Sequence, residues 1–110
     1  MAYDLIMPEA EVFRALSDPT RRAVFDRLSG GEMSVSALTA NFDISQPAVS
    51  QHLAALKGAG LVGERREGRN VYYRIEPQGL APLLGWLERH RAFWPDRIER
   101  LRDVLKRMDP

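Results

Sequence analysis

Gln46, Ser50 and Gln51 carry hydrogen-bonding groups on one side of an expected helix spanning Ser45 to Gly58. Side chains of this kind can meet base edges in a DNA major groove. The other side of the same helix holds Val49, Leu53 and Leu56 at i, i+4 and i+7, an apolar stripe that must face a core. Pro47, Ala54 and Gly58 surround the polar positions and are slim enough to let the backbone approach a duplex. No acidic side chain stands there to repel phosphate, whereas a merely solvated helix of this length more often carries Glu and Lys. Ser45 is a candidate phosphate contact, although its place as helix N-cap accounts for it equally well. His52, on the flank of the stripe, has two readings: a donor to phosphate, or a hydrogen bond within the fold. Catalysis by Ser50 and His52 is excluded, because residues two apart on a helix point about 200° away from each other.

A second group of candidates follows. After Gly58 and Gly60 the apolar period changes to two, and Leu61 to Glu67 and Arg69 to Glu76 read as strands joined around Gly68. Val71, Tyr73 and Ile75 alternate with Tyr72 and Arg74. Arg65, Arg66, Arg69 and Asn70 cluster near the turn, where they are candidates for contact with the DNA backbone or minor groove. Neighbouring strand residues face opposite ways, so Arg65 and Arg66 are not both expected to touch DNA. The plainer reading of such a tip is charge kept for solubility. Charge distribution favours the first reading: residues 45–74 hold five bases and two acids, a net of +3, against −3 for residues 1–44 and +1 for residues 75–110.

The elements that position these groups can be traced along the chain. A first helix from Pro8 to Leu16 is expected to turn Val12, Phe13 and Leu16 inward. Asp18-Pro19 is an N-cap followed by proline at the first helical position, opening a second helix that buries Val24, Phe25 and Leu28 and stops at Gly30-Gly31. Arg21 and Arg22 open that helix, where the dipole disfavours cations, so one of them is expected to reach phosphate or pair with Asp18. Ser34 can cap a short third helix carrying Val35 and Leu38, and the link Asn41-Phe42-Asp43-Ile44 leads into the helix capped by Ser45. Two short helices joined in this way form a helix-turn-helix, at about 34–58, and the hairpin at about 61–76 is then a wing. The expected fold is mainly α with a small β-hairpin, a winged helix-turn-helix, in a single domain over residues 1–110.

From about residue 80 to 107 the pattern is helical again. Leu87, Trp94, Leu101 and Met108 recur every seven residues, as do Leu84, Ile98 and Leu105, with Arg91 completing the second series. They form a seam along a helix of roughly 40 Å. So small a domain does not need so long an apolar stripe for its own core. Leu84, Leu87, Trp94, Ile98, Leu101 and Leu105 are therefore the expected interface with a second copy. Pro95 should kink this helix without breaking it, because the seam keeps phase across it. Trp86, Phe93 and Trp94 read as core or interface aromatics.

Composition removes other classes. Paired carboxylates, a nucleophile–base set and a phosphate-cradling glycine loop are all missing, so no enzyme and no cofactor are expected. Cysteine is absent, which excludes disulfides and thiolate metal sites and suits the cytoplasm. No membrane span or signal peptide is expected.

Four segments of the chain, in order, resemble the signature of ArsR-type winged-helix repressors. They are Phe13 to Arg22, Ser45 to Leu53, Leu56 to Val62 and Arg65 to Tyr73, and the resemblance spans roughly residues 9–107. It implies a homodimeric transcription factor, usually a repressor, that binds double-stranded DNA at an inverted-repeat operator and dimerises through its first and last helices. Metal-sensing members of that family use a Cys-x-Cys pair near the third helix, or Asp/His and His/Glu sets on the last helix. Here the first is missing and the last helix has only His90 among Glu88, Asp96 and Glu99, so no metal site is expected. The alternatives are a sensor of the same fold for a metal or small-molecule effector, and a winged-helix module that binds protein.

Overall fold

The structure, a computed structural model, describes residues 8–90 and 95–108, except the side chains of residues 95–98 and 101. Helix α1 (Pro8–Leu16) and helix α2 (Pro19–Arg27) are separated only by Ser17 and Asp18. Asp18 is extended (φ −81°, ψ 122°) and accepts the Arg21 backbone N–H at 3.0 Å, so the start signal works as its residue types dictate. So short a link also settles where Arg21 and Arg22 go. Arg22 Nη1 donates to the Leu16 carbonyl at 2.6 Å and Arg21 Nη1 to that of Ala15 at 3.4 Å. Both guanidinium groups thus cap the C-terminus of α1, where the helix dipole favours a cation, and the bonds they make are to these carbonyls rather than to the Asp18 carboxylate.

Helix α1 buries Glu9, Val12 and Ala15, a phase that leaves Phe13 on its flank and 40% exposed rather than inward. Phe13 meets Trp86 edge-on, with ring centroids 5.1 Å apart and planes at 84°. Val24 and Leu28 are buried as expected, and Phe25 packs half-buried against them.

Strand β1 (Met33–Ser34) precedes helix α3 (Val35–Thr39), which Ser34 caps by accepting the Ala37 N–H at 3.1 Å. Helix α4 (Gln46–Gly58) is capped by Ser45, whose Oγ accepts the Ala48 N–H at 3.3 Å. Its stripe of Val49, Leu53 and Leu56 is fully buried, in one cluster with Leu38 of α3 and with Val24 and Leu28. Each fully buried leucine contributes about 2 kcal/mol relative to an exposed one. That cluster is what fixes α4 and turns its polar face outward.

Strands β2 (Val62–Glu67) and β3 (Asn70–Ile75) form the antiparallel hairpin. Glu67 pairs with Asn70, leaving Gly68 and Arg69 as a two-residue loop. Gly68 has φ +62° and Arg69 is not in the left-handed region, which is the requirement of a type II′ turn with glycine first. Strand β1 pairs with β3 (Met33 with Tyr73, Ser34 with Tyr72), so the sheet has three strands in the order β1-β3-β2. The sequence pointed to two. A two-residue strand has no period to read, but it covers one edge of β3 and ties the wing to the start of the helix-turn-helix.

A 3₁₀ turn (Pro77–Leu80) leads to helix α5 (Ala81–Arg89), and helix α6 (Pro95–Met108) follows. The long kinked helix expected from the heptads is thus two helices, with Pro95 opening the second, a position that needs no N–H donor. Residues 91–94, with Arg91, Phe93 and Trp94 among them, lie outside the described residues. Helix α5 packs on α1 through Phe13 and Trp86 and through the buried Glu9, whose Oε1 accepts from Arg89 Nη2 at 2.9 Å. A buried carboxylate without such a cation would be costly. Among the described residues, no helix is long and apolar enough to cross a membrane.

Candidate nucleic-acid interface

The outer face of α4 is open. Ser45, Gln46, Pro47, Ser50, Gln51, Ala54 and Gly58 are all exposed, while Ser45 Oγ is occupied by its capping bond. Between this face and the wing runs an open groove of about 270 Å³, lined by Ser34, Gln46, Ser50, Arg66, Arg69 and Asn70 among others. Side chains up to 36 positions apart in the chain, Ser34 to Asn70, are thus brought to one concave surface. Gln51 lies on the same exposed helix face but not in the groove wall.

Two candidates are placed elsewhere. Arg65 binds Glu32 on the far side of the sheet through two contacts, at 2.6 Å and 3.2 Å, and Glu67 at 2.7 Å. Its guanidinium also lies 4.7 Å from the centre of the Tyr72 ring. The hydrogen bonds that Arg65 donates to Glu32, and then to Glu67, push the Arg65 pKa above its usual value. Two carboxylates therefore offset this charge, and Arg65 and Arg66 do part to opposite faces of the strand. His52 is half-buried, and its Nδ1 is enclosed with no hydrogen-bond partner in the structure. It lies near Asp18, whose carboxyl is held below its ordinary range chiefly by the Arg21 backbone N–H and in lesser part by the His52 charge.

Sequence reasoning passed over Glu64. Its Oε1 accepts from Lys57 Nζ, in the last turn of α4, at 2.6 Å, and its Oε2 accepts from Tyr73 Oη, on β3, at 2.9 Å. Lys57 first and Tyr73 second hold the Glu64 carboxyl below its usual range, while burial and then Glu64 push the Tyr73 phenol up. The available signal was a basic residue at the end of α4 and an acidic one early in β2; the partners are seven residues apart and need the turn between them to meet. Among the described residues, no group of three His, Asp or Glu side chains is placed to hold a metal ion.

Residues 16–65 match a family model described as a helix-turn-helix domain. Over 76 residues the chain is 40% identical to the transcriptional repressor SdpR of Bacillus subtilis, covering 69% of this chain and 84% of that one. A crystal structure of an ArsR family transcriptional regulator is 34% identical, superposes with a TM-score of 0.72 and covers 81% of this chain and 92% of its own. The chain belongs to the ArsR family of transcriptional regulators. Another ArsR-like structure, described as a homodimeric winged helix-turn-helix DNA-binding domain from Mycobacterium bovis, is 36% identical with a TM-score of 0.64 and covers 76% of this chain and 78% of that one. The helix-turn-helix match takes in all of α4 and stops at Arg65. In this ArsR chain, Arg66, Arg69 and Asn70 therefore lie just past that match, and the groove joins them to it.

Proposed function

We propose that this ArsR-family chain is a homodimeric repressor that binds an inverted-repeat operator. In this reading it is one winged helix-turn-helix unit, acting in the cytoplasm on double-stranded operator DNA. Gln46, Ser50 and Gln51 of α4 read base edges in the major groove, and Ser45 and Pro47 bring the helix start close to the backbone. Arg66, Arg69 and Asn70 hold the neighbouring phosphates or minor groove. The observation that carries this reading is the single groove shared by Gln46 and Ser50 with the three wing residues. Arg65, paired with Glu32 and Glu67, and His52, half-buried beside Asp18, make no DNA contact in it.

The second copy joins through the first and last helices. Support comes from large apolar side chains that one copy leaves in water: Leu84 is 62% exposed, Leu105 55% and Met108 74%. Leu87 is half-buried, Trp94 lies outside the described residues, and the side chains of Ile98 and Leu101 are not described. The Mycobacterium bovis relative, itself a homodimer, points the same way.

Binding to a duplex selected from random sequence tests the base-reading assignment. Gln51→Ala is expected to cost about 1–3 kcal/mol on that duplex and to relax one base preference. Equal loss on unselected DNA removes Gln51 from the reading surface. Salt dependence separates the two arginines. Arg66→Ala should lower the slope of log affinity against log salt by about 0.9, the amount for one phosphate contact, while Arg65→Ala leaves it unchanged. Equal slopes for Arg66→Ala and the unaltered protein would contradict the footprint.

A further inference from the structure

We propose that Glu64 is a positioning residue for DNA recognition, clamping the recognition helix to the wing through Lys57 and Tyr73. This rests on the DNA-binding reading above and deepens it. The two halves of the groove belong to different elements, Gln46 and Ser50 to α4, Arg66 and Arg69 to the hairpin. Their covalent connection is the short segment Ala59-Gly60-Leu61, in which Gly60 has φ +78°. Away from that segment, the bond between the two halves is that from Lys57 on the helix to the Glu64 carboxylate on β2, at 2.6 Å, and Tyr73, the cross-strand partner of Glu64 on β3, fixes that carboxylate from within the wing at 2.9 Å. A carboxylate accepting from a cation and a phenol together makes short, charge-assisted bonds with restricted geometry. Side chains locked by their own hydrogen bonds set the spacing of a recognition surface in this way.

The location makes the function testable by sign. Glu64 itself lines the groove proposed for DNA. If its charge acted only on the duplex, removing it would relieve repulsion of phosphate and raise affinity for every sequence alike. A clamp predicts the opposite selectivity. The shared core keeps the two halves together, but without the clamp their spacing is less tightly set, so base contacts and wing contacts fit one duplex less well together and the preferred sequence loses part of its advantage.

The experiment uses the full chain and a duplex enriched from a random library by the unaltered protein, with a scrambled duplex as reference. In Glu64→Ala, the ratio of affinities for the two is expected to fall about tenfold, the size of a coupling between groups in one network. Affinity for the scrambled duplex holds or rises. Tyr73→Phe, which keeps the buried ring and removes only the hydroxyl, lowers the same ratio in the same direction, and Lys57→Met with Glu64→Ala is no worse than Glu64→Ala alone. Amide exchange across residues 62–75 of the free protein quickens in Glu64→Ala while the thermal midpoint stays within a few degrees. Parallel gains on both duplexes, or an unchanged ratio in Glu64→Ala and Tyr73→Phe, overturn the clamp. If Glu64→Ala does not fold, Lys57→Met, which breaks the bond between helix and wing, decides by the same ratio: a fall supports the clamp and an unchanged ratio overturns it. Failure of the unaltered protein to enrich any sequence overturns the DNA-binding reading itself, and the clamp falls with it.

Discussion

Gly79→Ala should lower the thermal midpoint by about 10–20 °C, corresponding to about 2–3 kcal/mol at 4–8 °C per kcal/mol for a domain of this size. A Cβ added to Gly79 would land on the Gly60 carbonyl, 2.8 Å from its carbon and 3.1 Å from Leu61 Cα. Both obstacles are backbone, so no side chain can rotate away. Nor can the segment slide easily. Glu76 N–H donates to the Leu61 carbonyl at 2.9 Å, and Gly79 N–H donates to that of Glu76 at 2.9 Å. Leu61 is fully buried in the core shared with α4 and β2. The substitution must therefore push the 3₁₀ turn off the junction between recognition helix and wing, which costs what overpacking costs, at the upper end of about 1–3 kcal/mol. Unfolding followed by far-UV circular dichroism at fixed protein concentration checks this. A midpoint within about 2 °C of the unaltered protein, less than the shift expected from 1 kcal/mol, means that the two backbones are not in tight contact.

That contact was invisible in the sequence, and the reason is general to what was missed. The recognition helix could be read because its signals are local. Val49, Leu53 and Leu56 repeat at helical spacing, and Ser45 and Pro47 mark the start. The hairpin could be read from alternation around Tyr73 and from Gly68 at its turn. What failed depended on where distant or short segments meet. The partner of Arg65 is Glu32, 33 residues away, and nothing near Arg65 distinguishes it from Arg66 beyond strand parity. Strand β1 is two residues long, below any period. The sequence around Arg21 and Arg22 speaks only of the helix they open, whereas their guanidinium groups meet the carbonyls of the preceding helix. Hydrophobicity alone turns Phe13 inward, but the phase of α1 is set by Glu9, Val12 and Ala15, and the Glu9 that helps define it is charged. In the last third, the heptads were read as a single helix, whereas the chain divides them between α5 and α6.

Leu105→Glu is the change with the largest expected effect on DNA binding and the smallest on the fold of a single copy. Leu105 is 55% exposed on α6, where Val104 (44%) and Met108 (74%) are exposed as well. A surface leucine this exposed can be replaced within about 0.5 kcal/mol of neutral. Scattered apolar side chains in water are ordinary. The spacing of Ile98, Leu101, Leu105 and Met108 at i, i+3, i+7 and i+10 is not scattered: it is one helix face held in phase over three turns. If a second copy covers that face, a glutamate there puts a charge into an apolar interface on both sides of a two-fold axis, so each dimer suffers it twice. Dimer dissociation then removes the tether between two recognition helices, and affinity for a two-half-site duplex falls by about 100-fold or more, the usual advantage of linked binding. Affinity for a single half-site changes little, because Gln46, Ser50 and Arg66 line a groove formed within one copy. Sedimentation and binding to the two duplexes, measured on the same preparation, separate these effects. A variant that still sediments as a dimer places the interface elsewhere, and a monomer that keeps full affinity for the paired site shows that the two helices never act together.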